Sequence, residues 1–351
     1  MRVLLYPFAF IYKLILLFRH LLFDLKIRHS ETFREPVICV GNLTFGGTGK
    51  TPHIEYLTRL LQPDYKVAIL SRGYMRKSKG FVLAEKNTGF EIIGDEPRQY
   101  LNKFDNIIIA VDEKRVRGIK NLLNLTPKPD VILLDDAFQH RAVKAGLNIL
   151  LTDYHHLYPQ DHLVPAGSLR DVKSAAHRAD IIIVTKTPKI FSPFIYRQLS
   201  ALIKPRPHQK LYFSYLTYGR FVPVLSNLNI PVPHSIGTIL MFCGIANPYP
   251  LQEYLQTKCN ELILIDFPDH HSFTEKDMQS IKKQYDSILG KNKIIITTEK
   301  DAMRLIDSPY LSRFEGIPFY FVPIAVKFHL ENESNFDKEI VEYVSKNHTD
   351  N

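Results

Sequence analysis

VICVGNLTFGGTGKTP, residues 37–52, is the stretch on which the fold turns. Val37–Val40 is apolar throughout, the pattern of a strand buried on both faces of a parallel sheet. A glycine-rich loop follows and ends in Lys50, Thr51 and Pro52. Pro52 suits the first turn of a helix, where no amide hydrogen is missed. Backbone amides of such a loop, with a helix N-terminus behind them, form an anion nest. Gly46, Gly47, Thr48, Gly49, Lys50 and Thr51 are therefore the candidate phosphate-binding residues. Lys50 has the reach for β- and γ-phosphates, and the Thr51 hydroxyl suits Mg²⁺. The strict pattern wants glycine where Thr44 stands; Gly41, Gly46 and Gly47 supply the flexibility instead. A chance glycine-rich turn is the bland alternative, and the strand–loop–helix context favours ATP or GTP binding over it.

Outward from this loop, apolar runs recur at Val67–Leu70, Ile107–Val111, Val131–Leu134, Leu147–Leu151 and Ile181–Val184. Amphipathic stretches separate several of them, such as Thr51–Leu61 with Ile54, Leu57 and Leu61 on one side. Alternating strands and helices predict a layered α/β domain. Pro205 and Pro207 mark a break. Beyond it, Leu211–Leu216 and Phe319–Ile324 read as isolated aromatic strands, with Thr238–Phe242, Leu262–Ile265 and Ile294–Thr297 between them. The expected architecture is a P-loop NTPase-like parallel-sheet domain over 31–209 and a smaller α/β domain over 219–316. Segments 210–218 and 317–326 are expected to connect the two, and 327–351 to pack back on the larger.

The chain has 351 residues, enough for two cores of unequal size. Hydrophobic residues at 45% and charged residues at 23% exclude a disordered tail or a fibrous repeat. A formal net charge of +9 favours a polyanionic partner: nucleic acid, a phosphorylated ligand or an anionic membrane. Cys39, Cys243 and Cys259 lie too far apart for a metal clamp, and a reducing compartment fits them. Residues 1–30 carry Arg2, Lys13, Arg19, Lys26 and Arg28 against Asp24 alone. Lys13 and Arg19 interrupt what would otherwise be a spanning helix, and no cleavage site follows Leu22. An apolar helix with basic residues at intervals predicts interfacial binding to anionic headgroups. A buried core helix and a true span are the alternatives.

Catalysis on a nucleotide phosphate needs an acid at a strand end, and Asp135 and Asp136 close the run Val131–Leu134. Such an acid opens into the crevice beyond the strands and holds Mg²⁺ directly or through water; helix capping is the other use of such a pair. Phe138, Gln139, His140 and Arg141 follow, polar and cationic enough to sit near phosphate oxygens. Gly94-Asp95-Glu96-Pro97 reads by itself as a helix start with acidic caps. Asp269-His270-His271 suits proton transfer or an orienting hydrogen bond, or simply a surface loop. Ser71–Lys79 is a basic loop, either solvated or an anion contact.

Together these segments resemble the tetraacyldisaccharide 4'-kinases of lipid A biosynthesis. The matching words are GNLTFGGTGKTP at 41–52, SRGY at 71–74, GDEP at 94–97, LLDDAFQHR at 133–141, PAGSLRD at 165–171, CGIANP at 243–248, FPDHHSFTEKD at 267–277 and TTEKDAMRL at 297–305. The resemblance implies phosphoryl transfer from ATP with Mg²⁺ to the 4'-hydroxyl of a tetraacyl disaccharide 1-phosphate, at the cytoplasmic face of the bacterial inner membrane. It implies Lys50 on the ATP phosphates, and Thr51, Asp135, Asp136 and Asp171 around the metal. Asp95 would be the base, with His270 oriented against it across the two domains. One departure stands out: the family usually has Arg-Glu-Pro where this chain has Arg170-Asp171-Val172. No nucleic acid and no obligatory protein partner is expected. A membrane-associated nucleotide-dependent switch or assembly ATPase is the competing function, and it would need no acceptor-side base.

Overall fold

The computed structural model describes residues 2–225, 231–269, 271–306 and 308–348; His270 lies outside them. An apolar helix, α1 (Tyr6–Asp24), precedes β1 (Val37–Asn42), and the glycine-rich loop then opens α2 (Lys50–Leu61). The chain continues through β2 (Val67–Ser71), β3 (Val82–Leu83), α3 (Phe90–Ile93), α4 (Asp95–Lys103), β4 (Ile108–Val111), α5 (Arg115–Leu123), β5 (Val131–Asp135), β6 (Leu147–Asp153) and β7 (Ile181–Thr185). After α6 (Pro193–Ile203) and β8 (Lys210–Tyr218) it passes into β9 (Val222–Pro223), β10 (Ile236–Cys243), α7 (Tyr249–Gln256) and β11 (Cys259–Asp266). Next come α8 (Glu275–Ser287), β12 (Lys293–Thr298), α9 (Glu299–Leu305) and β13 (Phe319–Val322). The chain returns in β14 (Ile324–Phe328) and α10 (Leu330–His348).

Among the described residues the larger sheet runs β14-β8-β7-β6-β1-β5-β2-β4-β3, parallel except at its two edge strands. Every residue of β1, β2, β5 and β7 is buried, as strands covered on both faces must be. One face carries Leu16 of α1 and Leu199 and Ile203 of α6. The other carries Ile54, Leu57 and Leu61 of α2, Tyr100 of α4, and Phe336, Ile340 and Val344 of α10. The smaller sheet runs β11-β10-β12-β13-β9, and among the described residues only β9 is antiparallel. In the larger sheet β1 lies between β5 and β6, so the glycine-rich loop and Asp135 emerge side by side at the carboxyl ends of neighbouring strands. That is where α/β sheets bind ligands.

The stretch Phe319–Ile324 is not one strand. Pro323 has no amide hydrogen to extend either ladder, and the chain changes sheets there: β13 pairs with β12, whereas β14 pairs with β8. Segment 317–326 therefore belongs to both sheets, and β8 is a full member of the larger one through its pairing with β7. Where the two crossings meet, the amide of Gly219 donates to the Pro323 carbonyl at 2.9 Å.

A second seam is electrostatic. Lys103 of α4 donates to Glu299 of α9 at 2.7 Å and also contacts Glu55 of α2 at 2.7 Å. Gln99 donates to Glu55 at 2.8 Å, and Lys300 pairs with Glu96 at 3.3 Å. Burial, then the charge of Glu55, pushes the Glu299 carboxyl up against the pull of Lys103. Arg59 also pairs with Glu55 at 3.1 Å, but Lys103 bridges the two buried carboxylates, and removing a cation from a buried pair is costly. Lys103→Met should lose about 3 kcal/mol of stability, and adding Glu299→Gln should restore part of it. Urea denaturation measures both; an unchanged midpoint in Lys103→Met would show that the seam contributes nothing.

Candidate active site

The loop between β1 and α2 takes its shape from three glycines in the left-handed region, Gly46, Gly47 and Gly49, at φ +67°, +70° and +81°. Asn42 supports it from inside, donating to the hydroxyls of Thr48 at 2.8 Å and Thr44 at 3.3 Å. Thr44 needs no glycine because its backbone bridges Leu169 instead of making a left-handed turn. Behind the loop, Thr185 donates to the Thr48 carbonyl at 3.0 Å. Burial holds the His53 imidazole down at about 4 despite its bond to Gly49, so the ring is neutral. It therefore donates from Nδ1 to the Gly49 carbonyl at 2.7 Å and accepts at Nε2 from the Ser214 hydroxyl of β8 at 3.0 Å.

Lys50, the first residue of α2, lies 3.7 Å from Asp136. Arg170 grips the same carboxylate with both terminal nitrogens, one at 3.0 Å, and reaches Asn42 Oδ1 at 2.6 Å. Asp136 adopts φ +51°, an uncommon conformation for a non-glycine residue that often marks a functional turn. Burial alone would raise its pKa, but Lys50 and then Arg170 outweigh burial and hold it at about 2. Asp135, at the end of β5, has the opposite environment. Burial, then the charges of Glu96 and Asp136, push its carboxyl up to about 7 against Lys50 and Tyr100. The Tyr100 hydroxyl donates to Asp135 at 3.2 Å and is also within hydrogen-bonding reach of Thr51. A cation beside Asp135 would offset the burial and the like charges that push its carboxyl up. Among the described residues no three His, Cys, Asp or Glu side chains cluster tightly enough to hold a metal. One or two carboxylates, a hydroxyl and phosphate oxygens are what Mg²⁺ usually takes, so the donor set fits it.

Asp171 is not brought to this group. Its carboxylate is 1% exposed and accepts from His20 at 2.6 Å, Arg178 at 3.3 Å and the Val172 amide at 2.9 Å. Arg170 faces the phosphate loop, and its neighbour faces α1. Arg141 also turns from the expected phosphate region to Asp24 at 2.6 Å and to the His20 carbonyl. Burial, then Arg115 and Arg72, lower His140 to about 4, so it carries no charge towards a phosphate. Gln139 donates to the Asn42 carbonyl at 2.8 Å, and Phe138 packs so closely on Gly41 that a Cβ there would meet its own at 2.6 Å.

Asp95 opens α4 after Gly94, whose φ of +91° only glycine adopts readily. Arg304 of α9 holds its Oδ2 with Nη2 at 2.5 Å and Nε at 2.9 Å. His271, the second histidine of its motif, stacks on Phe267 and pairs with Asp277 at 2.9 Å, a structural role beside the α8 cap. Sequence reasoning passed over Asn42, Tyr100, Arg115 and Arg304, and treated Arg170 only as the neighbour of Asp171. Arg115 is 2% exposed with its guanidinium against the Asp112 and Asp135 carbonyls, and burial lowers its pKa to about 10. The words PAGSLRD and TTEKDAMRL contain two of these residues but do not say which way a side chain points.

The family model for tetraacyldisaccharide-1-P 4'-kinase matches residues 1–345. The chain belongs to that family. A relative from Phocaeicola vulgatus, named tetraacyldisaccharide 4'-kinase, is 47% identical over 98% of this chain and 95% of its own. Another of that name from Bacteroides thetaiotaomicron is 44% identical over 98% and 93%. The crystal structure of LpxK from Aquifex aeolicus in complex with ATP shares 27% identity and a TM-score of 0.73, covering 98% of this chain and 99% of that one. Family membership makes the chain a kinase, and the α/β architecture with a second, smaller sheet agrees with that neighbour. The switch or assembly-ATPase alternative is set aside.

The raised Asp135 carboxyl has a consequence for stability. Its folded pKa of about 7 exceeds the ordinary 3.8, so the folded state holds an extra proton between those values. Stability therefore falls as pH rises through that window. Without nucleotide or metal, Asp135→Asn should melt higher than the parent at pH 8, by about 2 °C or more, and equally at pH 4. Matching melting curves at pH 8 would show that the site does not strain this carboxyl.

Proposed function

We propose that the chain transfers the γ-phosphoryl group of ATP to the 4'-hydroxyl of a tetraacyl disaccharide 1-phosphate at a membrane surface. The observation that carries this reading is the convergence of Lys50 and Arg170 on Asp136, beside buried Asp135 and at the mouth of the phosphate loop. ATP phosphates would take over both cations from Asp136 and so release its carboxylate towards the metal. Mg²⁺, bound with ATP, would neutralise phosphate charge, and Thr51, Asp135 and Asp136 are the groups that would hold it. Asp95 would accept the hydroxyl proton as the acceptor oxygen bonds to the γ-phosphorus and the bond to the ADP oxygen breaks. His270, by the family resemblance, would orient Asp95.

Helix α1 supports the membrane half of the reading. It is long and apolar enough to cross a membrane, and most of it is not buried against the body. Its contacts with the body run along its length, however. Ala9 and Leu16 are buried, Tyr12 donates to the Arg170 carbonyl at 3.0 Å, and Arg19 donates to the Gln139 carbonyl at 2.8 Å. A helix attached over four turns would drag the folded body into the bilayer if it crossed. Lying in the interface keeps the body in water and offers Phe8, Phe10, Ile11, Ile15 and Phe18, all more than half exposed, to lipid. Each fully buried side chain of this kind contributes about 1.5–3 kcal/mol, more than the ~1 kcal/mol of a basic residue at an anionic surface. A bilayer surface facing the ATP pool, the cytoplasmic face of the inner membrane, fits both substrates.

Incubation with ATP, Mg²⁺ and the disaccharide 1-phosphate lipid should add one phosphate by mass spectrometry. Folded Lys50→Ala should be slower by on the order of 100-fold. No added phosphate, or near-parental turnover in Lys50→Ala, overturns the reading.

Membrane binding separates by variant. Ile11→Asp with Phe18→Asp should lose sedimentation with anionic vesicles and keep ATP binding. Truncation through residue 28 also removes Tyr12 and His20, partners of the Arg170–Asp171 step, and should weaken ATP binding as well. Vesicle binding that survives the double substitution would sink the interfacial assignment.

A further inference from the structure

Helix α9 meets α4 with three charged side chains: Glu299 on Lys103, Lys300 on Glu96, and Arg304 on Asp95. The third differs from the other two in how its cation is held. Arg304 is 7% exposed, and the far side of its guanidinium is fixed within the smaller domain. Its Nη1 donates to Asp301 at 2.8 Å and lies 3.4 Å from the Gly244 carbonyl. Asp301 is wholly buried and is itself pinned by the Thr298 hydroxyl at 2.7 Å and the Gly244 amide at 2.9 Å. The other edge of this clamped plane, Nε and Nη2, meets Asp95 across the domain boundary. A planar fork held on one edge fixes the direction of whatever its other edge binds, which a lysine ammonium cannot do.

Docking alone does not call for such a device, because the Glu299 and Lys300 pairs already join α9 to α4. Asp95 is the first residue of α4, and its side chain is only 15% exposed, so the Arg304 fork meets a carboxylate shielded from most solvent. We propose that Arg304 is a positioning residue for the phosphoryl transfer: it orients the Asp95 carboxylate towards the acceptor hydroxyl, so the base is set only when α9 is seated on α4. This rests on Asp95 as the base.

The test uses the full-length enzyme with lipid and ATP. Arg304→Ala should lower kcat about 100-fold, the scale expected for a misdirected catalytic group, and leave the KM for ATP within about 2-fold. Arg304→Lys should recover only part of the loss. Added guanidinium ion should restore part of the turnover of Arg304→Ala and none to Asp95→Ala. The double variant should be no slower than Asp95→Ala, as members of one unit are not additive. Turnover within about 3-fold of the parent in Arg304→Ala, or losses that multiply fully in the double variant, overturns the proposal. If Arg304→Ala fails to fold, the same cycle run with Arg304→Lys decides. Near-parental turnover in Asp95→Ala refutes the base itself; an inactive Asp95→Ala beside an active Arg304→Ala refutes only the positioning role.

Discussion

The guanidinium of Arg170 lies between the carboxylate of Asp136 and the side chain of Asn42, whose amide in turn holds two threonines of the phosphate loop. Its carbonyl accepts the Tyr12 hydroxyl, and the next residue, Asp171, accepts His20. Two consecutive residues therefore join the nucleotide loop to the apolar helix. The chain bends at both residues, and their side chains leave it towards different partners. The constraint is severe. Losing Arg170 would leave Asp136 to Lys50 alone and Asn42 without its cation, and losing Asp171 would unpair His20 of the helix and buried Arg178.

The seam between the two sheets is built on different terms. Charged pairs dominate the meeting of α4 with α9, Asn102 donates to the Met303 sulfur beside them, and Tyr218 stacks on Tyr254 where β8 leaves the larger sheet. Water can replace such contacts at modest cost, whereas an oily interface would resist separation. Polar seams of this kind let domains move relative to one another.

Much of this was legible in the sequence because parallel strands buried on both faces leave unbroken apolar runs. Val67–Leu70, Val131–Leu134 and Ile181–Val184 are such runs, and each lies within a fully buried strand. The phosphate loop was legible because its backbone demands glycine and its chemistry demands Lys50 and Thr51. What stayed hidden was direction. Nothing in the letters of PAGSLRD tells that Arg170, not Asp171, faces the nucleotide loop. Nor does a basic residue interrupting an apolar helix reveal that Arg19 turns inward to the Gln139 carbonyl and leaves the outer face apolar. Long-range pairs such as Arg304 with Asp95, 209 positions apart, have no local signature at all. Pro323 was visible as a letter, but its effect, a strand that changes sheets, depends on which ladders lie on either side.

The hydrogen bond from Gly219 to Pro323 sits where the chain crosses out of the larger sheet and back again. Two crossings laid side by side and paired act as a strap hinge does between a door and its frame. A single tether would allow the smaller unit to tumble about any axis, and three or more would lock it. A paired ribbon leaves one easy rotation, bending across its own plane, and resists twisting within it. Any swing of the smaller unit is thereby reduced to nearly one degree of freedom, so α9 returns to α4 along the same arc each time and its charged side chains need no search to find their register.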